Sequence, residues 1–487
     1  MSANELPMQD VIIIGAGLSG IGAAVHLQQH CPGKRYLILE ARPAIGGTWD
    51  LFRYPGIRSD SDMHTLGYRF KPWIASKAIA DGPSILDYVR STADEHGVTP
   101  HIRFGHRLLA ADWSDSQACW QLRVATADGE HTLHCRMLLM CSGYYNYGDA
   151  YTPDFPGRER FAGPVIHPQH WPQDLDYSGK KVVIIGSGAT AMTLAPAMAE
   201  LAASVTVLQR SPTYVVSRPD KDVIANVLRK ILPPSWAYAI TRWKNVWLSQ
   251  YIYRRSRTRP ERLKKMLLDR VRKELGPDYD VERHFTPRYN PWDQRLCLVP
   301  NADLFKSIRA GKTVMVTDNI ASFTETGIAL ASGQTLPADI IITATGLNLE
   351  VLGGAAFSKN GQPISFADTW AYKGLMFSDV PNMVFTFGYI NASWTLRADL
   401  IAEFFCRLIN EMDRQGARVC VPQLRASDSA MPARPFIDDF SAGYMQRMMH
   451  RFPKQGDREP WLNSQNYGRD RKMLREGALD DGVLQFR

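Results

Sequence analysis

Two glycine-rich turns in matching settings constrain the fold of this 487-residue chain more than any other feature. Each turn follows a short apolar run, at 11–14 and 182–185, and leads into a helix-like stretch and a second apolar run. Each has the G-x-G-x-x-G/A spacing, at Gly15, Gly17 and Gly20 and again at Gly186, Gly188 and Ala191. Continuous β-branched runs are typical of parallel strands buried on both faces, and a glycine turn between such a strand and a helix is typical of a dinucleotide site. The sequence therefore predicts an α/β fold with two Rossmann-like dinucleotide-binding domains.

The residues that end the second apolar runs predict different ligands for the two turns. Glu40 stands twenty residues after Gly20, where a carboxylate accepts hydrogen bonds from a ribose. Arg210 stands nineteen residues after Ala191, and a guanidinium there, with Ser211 beside it, pairs with a 2′-phosphate that a carboxylate would repel. We therefore predict FAD at the first turn and NADPH at the second. The alternative for Arg210 is a solvated residue at a strand end.

Two dinucleotide sites in one chain indicate electron transfer from a nicotinamide to a flavin, and the cysteines restrict where the electrons go next. The seven cysteines are far apart and none forms a C-x-x-C pair, so we expect neither a disulfide reductase nor a structural zinc or other metal site. Molecular oxygen is then the natural acceptor. The first ten residues have no basic region, and no run of about 20 apolar residues occurs, so we expect a cytoplasmic protein.

Residues 161–172 resemble the fingerprint of the type I Baeyer-Villiger monooxygenases. The shared positions are Phe161, Gly163, His167, Trp171 and Pro172. The resemblance extends over nearly the whole chain, through Gly47-Thr48-Trp49, the YPGIRSD segment at 54–60, Gln294-Arg295-Leu296 and Ala344-Thr345-Gly346. In segments such as HPQHWP and GYINASWTLRADL the chain is most similar to the bacterial ethionamide-activating monooxygenases of that family.

The resemblance implies a reaction and a catalytic pair. NADPH reduces a bound FAD, O2 adds to the flavin at C4a, and the peroxyflavin anion inserts one oxygen atom beside a ketone carbonyl to give an ester or lactone. Oxidation of a thioether or thioamide is an expected side activity. The anion needs a cation, which by similarity is Arg295, held by Asp60. Asp62 is the nearby rival, and both acids could instead cap the following helix.

Other positions follow from the same resemblance. Gly47, Thr48 and Trp49 are expected to contact the flavin cofactor, and His167 is expected to act through the linker between the domains rather than in proton transfer. Many family members have Lys where this chain has Gln294, so Arg210 with Ser211 carries most of the expected preference for NADPH.

Two other functions stay open. One is a flavin monooxygenase that oxygenates nitrogen or sulfur, against which Trp171 and Arg295 argue, and the other is a flavin-binding NADPH sensor or diaphorase.

The order of the motifs predicts two interleaved domains with one insertion. The expected parts are 1–150 (FAD-binding, first part), 151–217 (NADP-binding, first part), 218–289 (helical insertion), 290–349 (NADP-binding, second part) and 350–487 (FAD-binding, second part). Residues 102–141 alternate more loosely and predict antiparallel strands within the first core.

The formal net charge of +8 belongs to one segment. Residues 218–288 contain eighteen Lys or Arg against eight Asp or Glu. The same segment has a set of apolar residues at helical spacing on one face, Trp236, Ile240, Trp243, Trp247 and Tyr251. Three interpretations are open: an ordinary solvated face, contact of residues 230–275 with an anionic membrane surface, or a nucleic-acid site. We do not expect nucleic acid as a partner, because no recognised binding module accompanies the charge.

Overall fold

The computed structural model describes residues 7–438 and 440–487. The elements up to Ala150 are β1 (Gln9–Ile14), α1 (Leu18–His30), β2 (Tyr36–Glu40), α2 (Thr48–Leu51), α3 (Met63–Leu66), α4 (Gly82–Glu95), β3 (Ile102–Phe104), β4 (Arg107–Ser114), β5 (Cys119–Thr126), β6 (Gly129–Met140) and β7 (Tyr145–Ala150). The next are β8 (Val165–Ile166), β9 (Lys181–Ile185), α5 (Ala189–Met198), β10 (Ser204–Gln209), β11 (Val215–Arg218), α6 (Val223–Ile231), α7 (Pro234–Thr258), α8 (Pro260–Leu275) and α9 (Val281–Phe285).

The second half of the chain completes both sheets. Its elements are β12 (Cys297–Pro300), α10 (Asp303–Arg309), β13 (Thr313–Thr317), β14 (Ile320–Thr324), β15 (Gly327–Leu330), β16 (Thr335–Pro337), β17 (Ile340–Thr343), β18 (Leu347–Leu349), β19 (Ala356–Lys359), β20 (Gln362–Pro363), β21 (Ala371–Tyr372), β22 (Met376–Phe377), β23 (Met383–Phe385), α11 (Trp394–Gln415), β24 (Cys420–Pro422), β25 (Arg434–Pro435), α12 (Gly443–Gln446), β26 (Lys454–Gln455), α13 (Tyr467–Arg475) and β27 (Leu484–Phe486).

The first sheet is built around β1. Its strand order is β20-β19-β4-β5-β6-β1-β2-β3, with β23 also paired to β6. β1 is parallel to both β2 and β6, and Val11, Ile12 and Ile13 have no exposed surface, which explains why this run lacks a polar alternation. The predicted antiparallel strands are β4, β5 and the first part of β6. β3 departs from that prediction and is parallel to β2, because the helix α4 carries the chain back across the sheet before β3 begins.

The second sheet is entirely parallel, in the order β13-β10-β9-β17-β8. β9 contains the apolar run 182–185 and lies at the centre of this sheet, beside β17, whose four residues are all buried. Both sheets carry a glycine turn and a helix directly after a central strand. The α/β architecture with two Rossmann-like units is therefore confirmed.

Two chain segments join the sheets, because the second sheet is inserted between β7 and β18 of the first unit. These two strands pair as an antiparallel ribbon. Thr345 Oγ1 donates a hydrogen bond to the carbonyl of Tyr151 at 2.7 Å, and the Asn348 amide donates to the Asp149 carboxylate at 3.0 Å. The ribbon holds the outgoing and returning segments together at the junction of the two units.

The helices α6 to α9 lie between β11 and β12. The side of α7 that faces the protein is polar, since the buried Arg242 donates to the carbonyls of His64 and Gly67 at 2.9 and 2.7 Å. The aromatic face lies on the opposite side and is exposed, from 43% for Tyr251 to 68% for Trp243. Among the described residues, no helix combines the length and hydropathy needed to cross a membrane.

A buried ion pair joins α11 to α13 and provides a test of the packing. Arg397 Nη1 lies 2.8 Å from Asp470 Oδ2, and neither side chain is exposed. We expect Asp470→Ala to lower the free energy of unfolding by about 3–5 kcal/mol, because it leaves a buried guanidinium without its counter-charge. Thermal or urea unfolding of the FAD-loaded protein measures this. The control is Glu130→Ala, which breaks the exposed Arg123–Glu130 pair and should change stability little; equal effects of the two variants would contradict the expectation.

Candidate active site

The first glycine turn has a geometry that only glycine allows. Gly15 has φ +104°, and a Cβ there would lie 2.6 Å from the carbonyl oxygen of Cys141. A Cβ at Gly20 would lie 1.9 Å from the Gly15 carbonyl oxygen. The N-cap of α1 is Gly17, and no side chain caps the helix, so the N–H groups of its first turn can receive a pyrophosphate.

A second glycine segment faces this turn. Gly47, with φ +55°, lies against Gly17, and a Cβ on Gly47 would be 3.2 Å from the Gly17 Cα. Gly47 also begins α2, again without a side-chain cap. The Thr48 hydroxyl lies 3.3 Å from the Tyr147 hydroxyl, and Trp49 packs against the apolar core of the first unit. The two glycine backbones form a cradle of the kind that a dinucleotide fills.

Glu40 lies at the end of β2 beside the same turn. Its Oε2 accepts a hydrogen bond from the Ala16 N–H at 2.7 Å and its Oε1 accepts one from the Arg42 N–H at 2.8 Å. Burial raises the pKa of the Glu40 carboxyl, and these two backbone donors oppose the shift. Each carboxylate oxygen has a second lone pair, so the group can also accept from ribose hydroxyls. The residues present fit FAD at this turn.

The second glycine turn repeats the arrangement with more open space. A Cβ at Gly186 would lie 2.3 Å from the Ala344 carbonyl oxygen, whereas one at Gly188 would meet no atom within 4 Å. Ala191 is fully buried under the turn, and α5 begins at Gly188 without a side-chain cap. Arg210 and Ser211 follow β10 and are both exposed. The residues present fit a dinucleotide with a 2′-phosphate that approaches from solvent.

Arg295 and Asp60 form an ion pair at the junction of the units. Arg295 Nε lies 2.7 Å from Asp60 Oδ2, and the nearby carboxylate raises the pKa of Arg295 above its usual value. The two side chains are 35% and 30% exposed, so both remain partly accessible to solvent.

The YPGIRSD segment of the first unit reaches across to the second unit. A Cβ at Gly56 would lie 2.8 Å from the Cβ of Ala197 in α5. Arg58 forms an ion pair with Asp303 at the start of α10. The Asp60–Arg295 pair is therefore one of several contacts that this segment makes with the inserted unit.

Asp62, the rival of Asp60, has a different position. It is the N-cap of α3 and accepts a hydrogen bond from the Thr65 N–H at 3.1 Å. Its Oδ1 also accepts from the Asn245 amide of α7 at 2.9 Å. Of the two acids, Asp62 caps the helix and Asp60 pairs with the arginine.

Three tyrosines near Arg295 were missed from the sequence. The hydroxyls of Tyr144 and Tyr145 lie 2.8 Å apart, and the ring of Tyr144 stacks on Trp394 at 5.1 Å. Burial raises the pKa of Tyr144, Tyr145 and Tyr444, and each interacts electrostatically with Arg295. For Tyr144 and Tyr145 a usable signal was the YYNY run at 144–147, which begins four residues after the end of β6, because residues beyond the carboxyl ends of parallel strands line the ligand crevice.

His167 connects the two chain segments that join the units. Its Nδ1 accepts the Gln169 N–H at 3.1 Å, so the proton lies on Nε2, which donates to the Gly346 carbonyl at 3.0 Å. The Gln169 amide donates to the Asn146 carbonyl in β7 at 2.9 Å. His167 lies in the segment that enters the second sheet, whereas Gly346 lies in the segment that leaves it. This contact is a hydrogen-bonded clasp between linkers, with no proton-transfer geometry.

The other fingerprint residues pack around this clasp and the second sheet. Phe161 is buried against Phe323 at a ring distance of 6.5 Å. A Cβ at Gly163 would lie 2.3 Å from the Asp339 carbonyl oxygen, which explains the glycine there. Trp171 is half-buried against the core of the second unit, and Pro172 follows it and is also half-buried.

Comparison with known families now decides the class of the protein. Residues 79–352 match the flavin-binding monooxygenase-like family, and residues 13–75 match the NAD(P)-binding Rossmann-like domain. The chain belongs to the flavin-binding monooxygenase-like family. The predicted flavin monooxygenase with FAD and NADP as cofactors is therefore confirmed at that level.

Full-length relatives of this flavin monooxygenase have the same organisation. The FAD-containing monooxygenase EthA of Mycobacterium tuberculosis is 55% identical over 478 residues, covering 98% of this chain and 97% of its own. The probable FAD-binding monooxygenase AlmA of Acinetobacter baylyi is 47% identical over 479 residues, covering 98% and 96%. A steroid monooxygenase bound to NADP has the same fold, with a TM-score of 0.78 at 21% identity over 99% of both chains. OTEMO in complex with FAD and NADP gives 0.79 at 20% identity over 99% and 100%.

The His167 clasp predicts a dependence on pH. Burial lowers the pKa of His167, whereas the histidine of the unfolded chain titrates near ~6.5. The unfolded chain then binds the proton more readily, so the clasp contributes fully above about pH 6.5 and is lost as pH falls. Protonation of Nδ1 would also remove the acceptor for Gln169.

We expect His167→Ala to lower the product formed per NADPH while FAD content stays unchanged, because the linkers lose their contact. Coupling in the unmodified enzyme should fall only when the pH drops below the lowered pKa of His167 in the folded protein, which lies below about 6.5, and coupling in the variant should not fall there. Product and NADPH are measured together across this range. His170→Ala, at an exposed neighbour, is the control; unchanged coupling in His167→Ala would contradict a role in the clasp.

Proposed function

We propose that this flavin monooxygenase is a Baeyer-Villiger enzyme that converts a lipophilic ketone to an ester or lactone with NADPH and O2. The observation that carries the proposal is the Arg295–Asp60 pair, which places a permanent positive charge at the junction of the two dinucleotide units. The fingerprint with Trp171 supports the same reaction. A ketone oxidation develops negative charge on the carbonyl oxygen, and a fixed guanidinium stabilises such charge.

Each unit is proposed to hold one cofactor. Gly15, Gly17 and Gly20 would hold FAD, Glu40 would accept hydrogen bonds from its ribose, and Gly47, Thr48 and Trp49 would contact the same cofactor. Gly186, Gly188 and Ala191 would hold NADPH, and Arg210 and Ser211 would bind its 2′-phosphate. When bound and reduced, FAD activates O2 for transfer to the substrate. The proposed FAD parts are then 1–150 and 350–487, and the NADP parts are 151–217 and 290–349.

The role of Arg295 follows from its geometry and its charge. Its Nε pairs with Asp60, and the two Nη groups at the other end of the guanidinium are the donors that we propose for a carbonyl oxygen. Because an arginine stays protonated in a protein, the charge is present throughout the reaction. Tyr144 and Tyr145 lie near Arg295 and pack against each other, with ring centroids 4.3 Å apart and planes tilted by 40°.

Oxygenation of sulfur or nitrogen is the alternative chemistry of a flavin monooxygenase, and it needs no cation beside the acceptor atom. A long-chain methyl ketone, NADPH and isotopically labelled O2 distinguish the two. An ester with one labelled atom inserted beside the carbonyl supports the proposal. Labelled sulfoxide from a thioether without any ester would favour the alternative, and peroxide alone, at a rate independent of substrate, would favour a diaphorase.

Replacement of the pair tests the mechanism. We expect Arg295→Ala to lower the rate of ester formation by about a hundredfold or more while NADPH is still consumed, since one charge stabiliser is lost. Asp60→Asn should lower the ester yield because Arg295 loses its charged partner. Asp62→Asn is the matched control, since asparagine also caps a helix and the Arg295 contact is unaffected. Ester formation retained by Arg295→Ala would remove this residue from the role.

A change at Arg210 tests the second site. We expect Arg210→Ala to lower kcat/KM for NADPH by about 10–100-fold, because a charged hydrogen bond to the 2′-phosphate is worth ~1.5–3 kcal/mol. The value for NADH, which lacks this phosphate, should change little and serves as the internal control. Steady-state NADPH and NADH oxidation measures both, and an equal loss for the two cofactors would contradict the assignment.

A further inference from the structure

Helices α6 and α7 present an apolar surface that the chain leaves uncovered. The exposed members are Ile74, Val223, Ile224, Val227, Ile231, Trp236, Ile240, Trp243, Trp247 and Tyr251, which we call the apolar face. Soluble monomers rarely expose contiguous apolar patches of such size unless the patch binds something. The aromatic residues recognised in the sequence are therefore an exposed surface and not part of the core.

Hydrogen bonds hold the segments of the apolar face together. Lys244 Nζ of α7 lies 2.7 Å from Asp222 Oδ2 at the start of α6. Arg229 of α6 donates to the Ala75 carbonyl at 2.8 Å and also to the Ile74 carbonyl. These contacts fix loop 73–77, α6 and α7 to one another. The exposed apolar side chains therefore belong to one ordered surface and not to a disordered chain end.

The opposite side of α7 explains why the apolar side must face outward. Arg242 donates to carbonyls of the segment 64–67 and lies 3.3 Å from the buried Asp399. Tyr238 donates to the Tyr68 carbonyl at 2.9 Å. Rotating the helix to bury its tryptophans would leave these polar groups unpaired, which costs several kcal/mol per buried charge. The outward apolar side is built into the packing.

Basic residues are concentrated in the helices that carry the apolar face and in α8, which follows them. Exposed examples are Lys230 of α6, Arg254 of α7, Arg259 between α7 and α8, and Arg262, Arg270 and Lys273 of α8. Arg255 lies over the ring of Tyr251 at 5.1 Å. An amphipathic helix that lies in the interface of an anionic bilayer typically combines tryptophan and tyrosine with lysine and arginine. The helices that carry the apolar face have this composition.

We propose that the apolar face docks this enzyme on the surface of an anionic lipid bilayer, with α6 and α7 in the headgroup region and the basic residues on the lipid phosphates. The charge favours this occupant over a second copy of the chain, because two segments with ten excess positive charges each repel one another. The inference stands independently of the proposed ketone oxidation. It also links the bilayer to the active site, since Asn245 on α7 donates to Asp62, two residues from Asp60.

Flotation of the FAD-loaded, full-length protein with vesicles tests the proposal. We expect flotation with vesicles containing about one-third phosphatidylglycerol, little with phosphatidylcholine alone, and several-fold less at high salt. The triple change Trp236→Ser, Trp243→Ser and Trp247→Ser should lower binding at least about tenfold. Leu201→Ser with Val314→Ser removes exposed apolar residues elsewhere and should not change binding.

Charge is tested in the same way. Arg254→Gln with Arg259→Gln should lower binding by about 25-fold, since each basic residue near the surface contributes about fivefold. Lys180→Gln with Lys312→Gln, at exposed sites on the second unit, is the matched control. Flavin absorbance and thermal unfolding of each variant show that it is folded. Brominated lipids should quench the fluorescence of the parent protein more than that of the triple variant.

Three results would overturn the proposal. The first is an absence of flotation with anionic vesicles, which would assign the apolar face to a protein partner. The second is equal flotation by the triple tryptophan variant. The third is a dimer in sedimentation velocity that this variant abolishes, which would assign the face to a second copy of the chain.

Discussion

The pairing of β7 with β18 is the constraint on which the rest of this structure depends. The second dinucleotide unit is inserted into the first, so the chain must cross between them twice, and the ribbon joins the two crossings. His167 adds a hydrogen bond from the entering segment to Gly346 in the leaving segment. Tyr144 and Tyr145 begin the ribbon, and Arg295 lies near their hydroxyls. The relative position of the two cofactor sites is therefore fixed by the backbone hydrogen bonds of this two-stranded ribbon.

Two arginine–carboxylate pairs in this protein show how burial changes the use of one interaction. Arg397 and Asp470 are completely buried and hold helices together, so the loss of either leaves an uncompensated charge. Arg295 and Asp60 have nearly the same separation but remain about one-third exposed, so the pair itself adds little to stability. Its charge is the one that we propose acts on the substrate.

Helix α7 reverses the usual arrangement of a surface helix. Its inner side forms hydrogen bonds to residues 62–68 of the first unit, through Arg242, Tyr238 and Asn245. Its outer side is aromatic and exposed. Polar anchoring is directional, so it fixes the rotation of the helix more narrowly than apolar packing would. The same helix reaches the loop that holds Asp60, because Asn245 donates to Asp62, and this connects the insertion to the Arg295–Asp60 pair.

The sequence by itself determined the parts of this protein whose signals are local. The buried strands, the glycine turns and the residues Glu40 and Arg210 after the second strands follow from spacing within some thirty residues, because strand, turn and helix are neighbours along the chain. Only the tertiary structure decided between Asp60 and Asp62, brought Tyr444 to Arg295, and turned the tryptophans of α7 outward. These outcomes depend on partners far away in the chain, such as Arg295 for Asp60 and Asp399 for Arg242. A periodic pattern gives the face of a helix but not the surface it meets, since that is fixed by the groups on the other side.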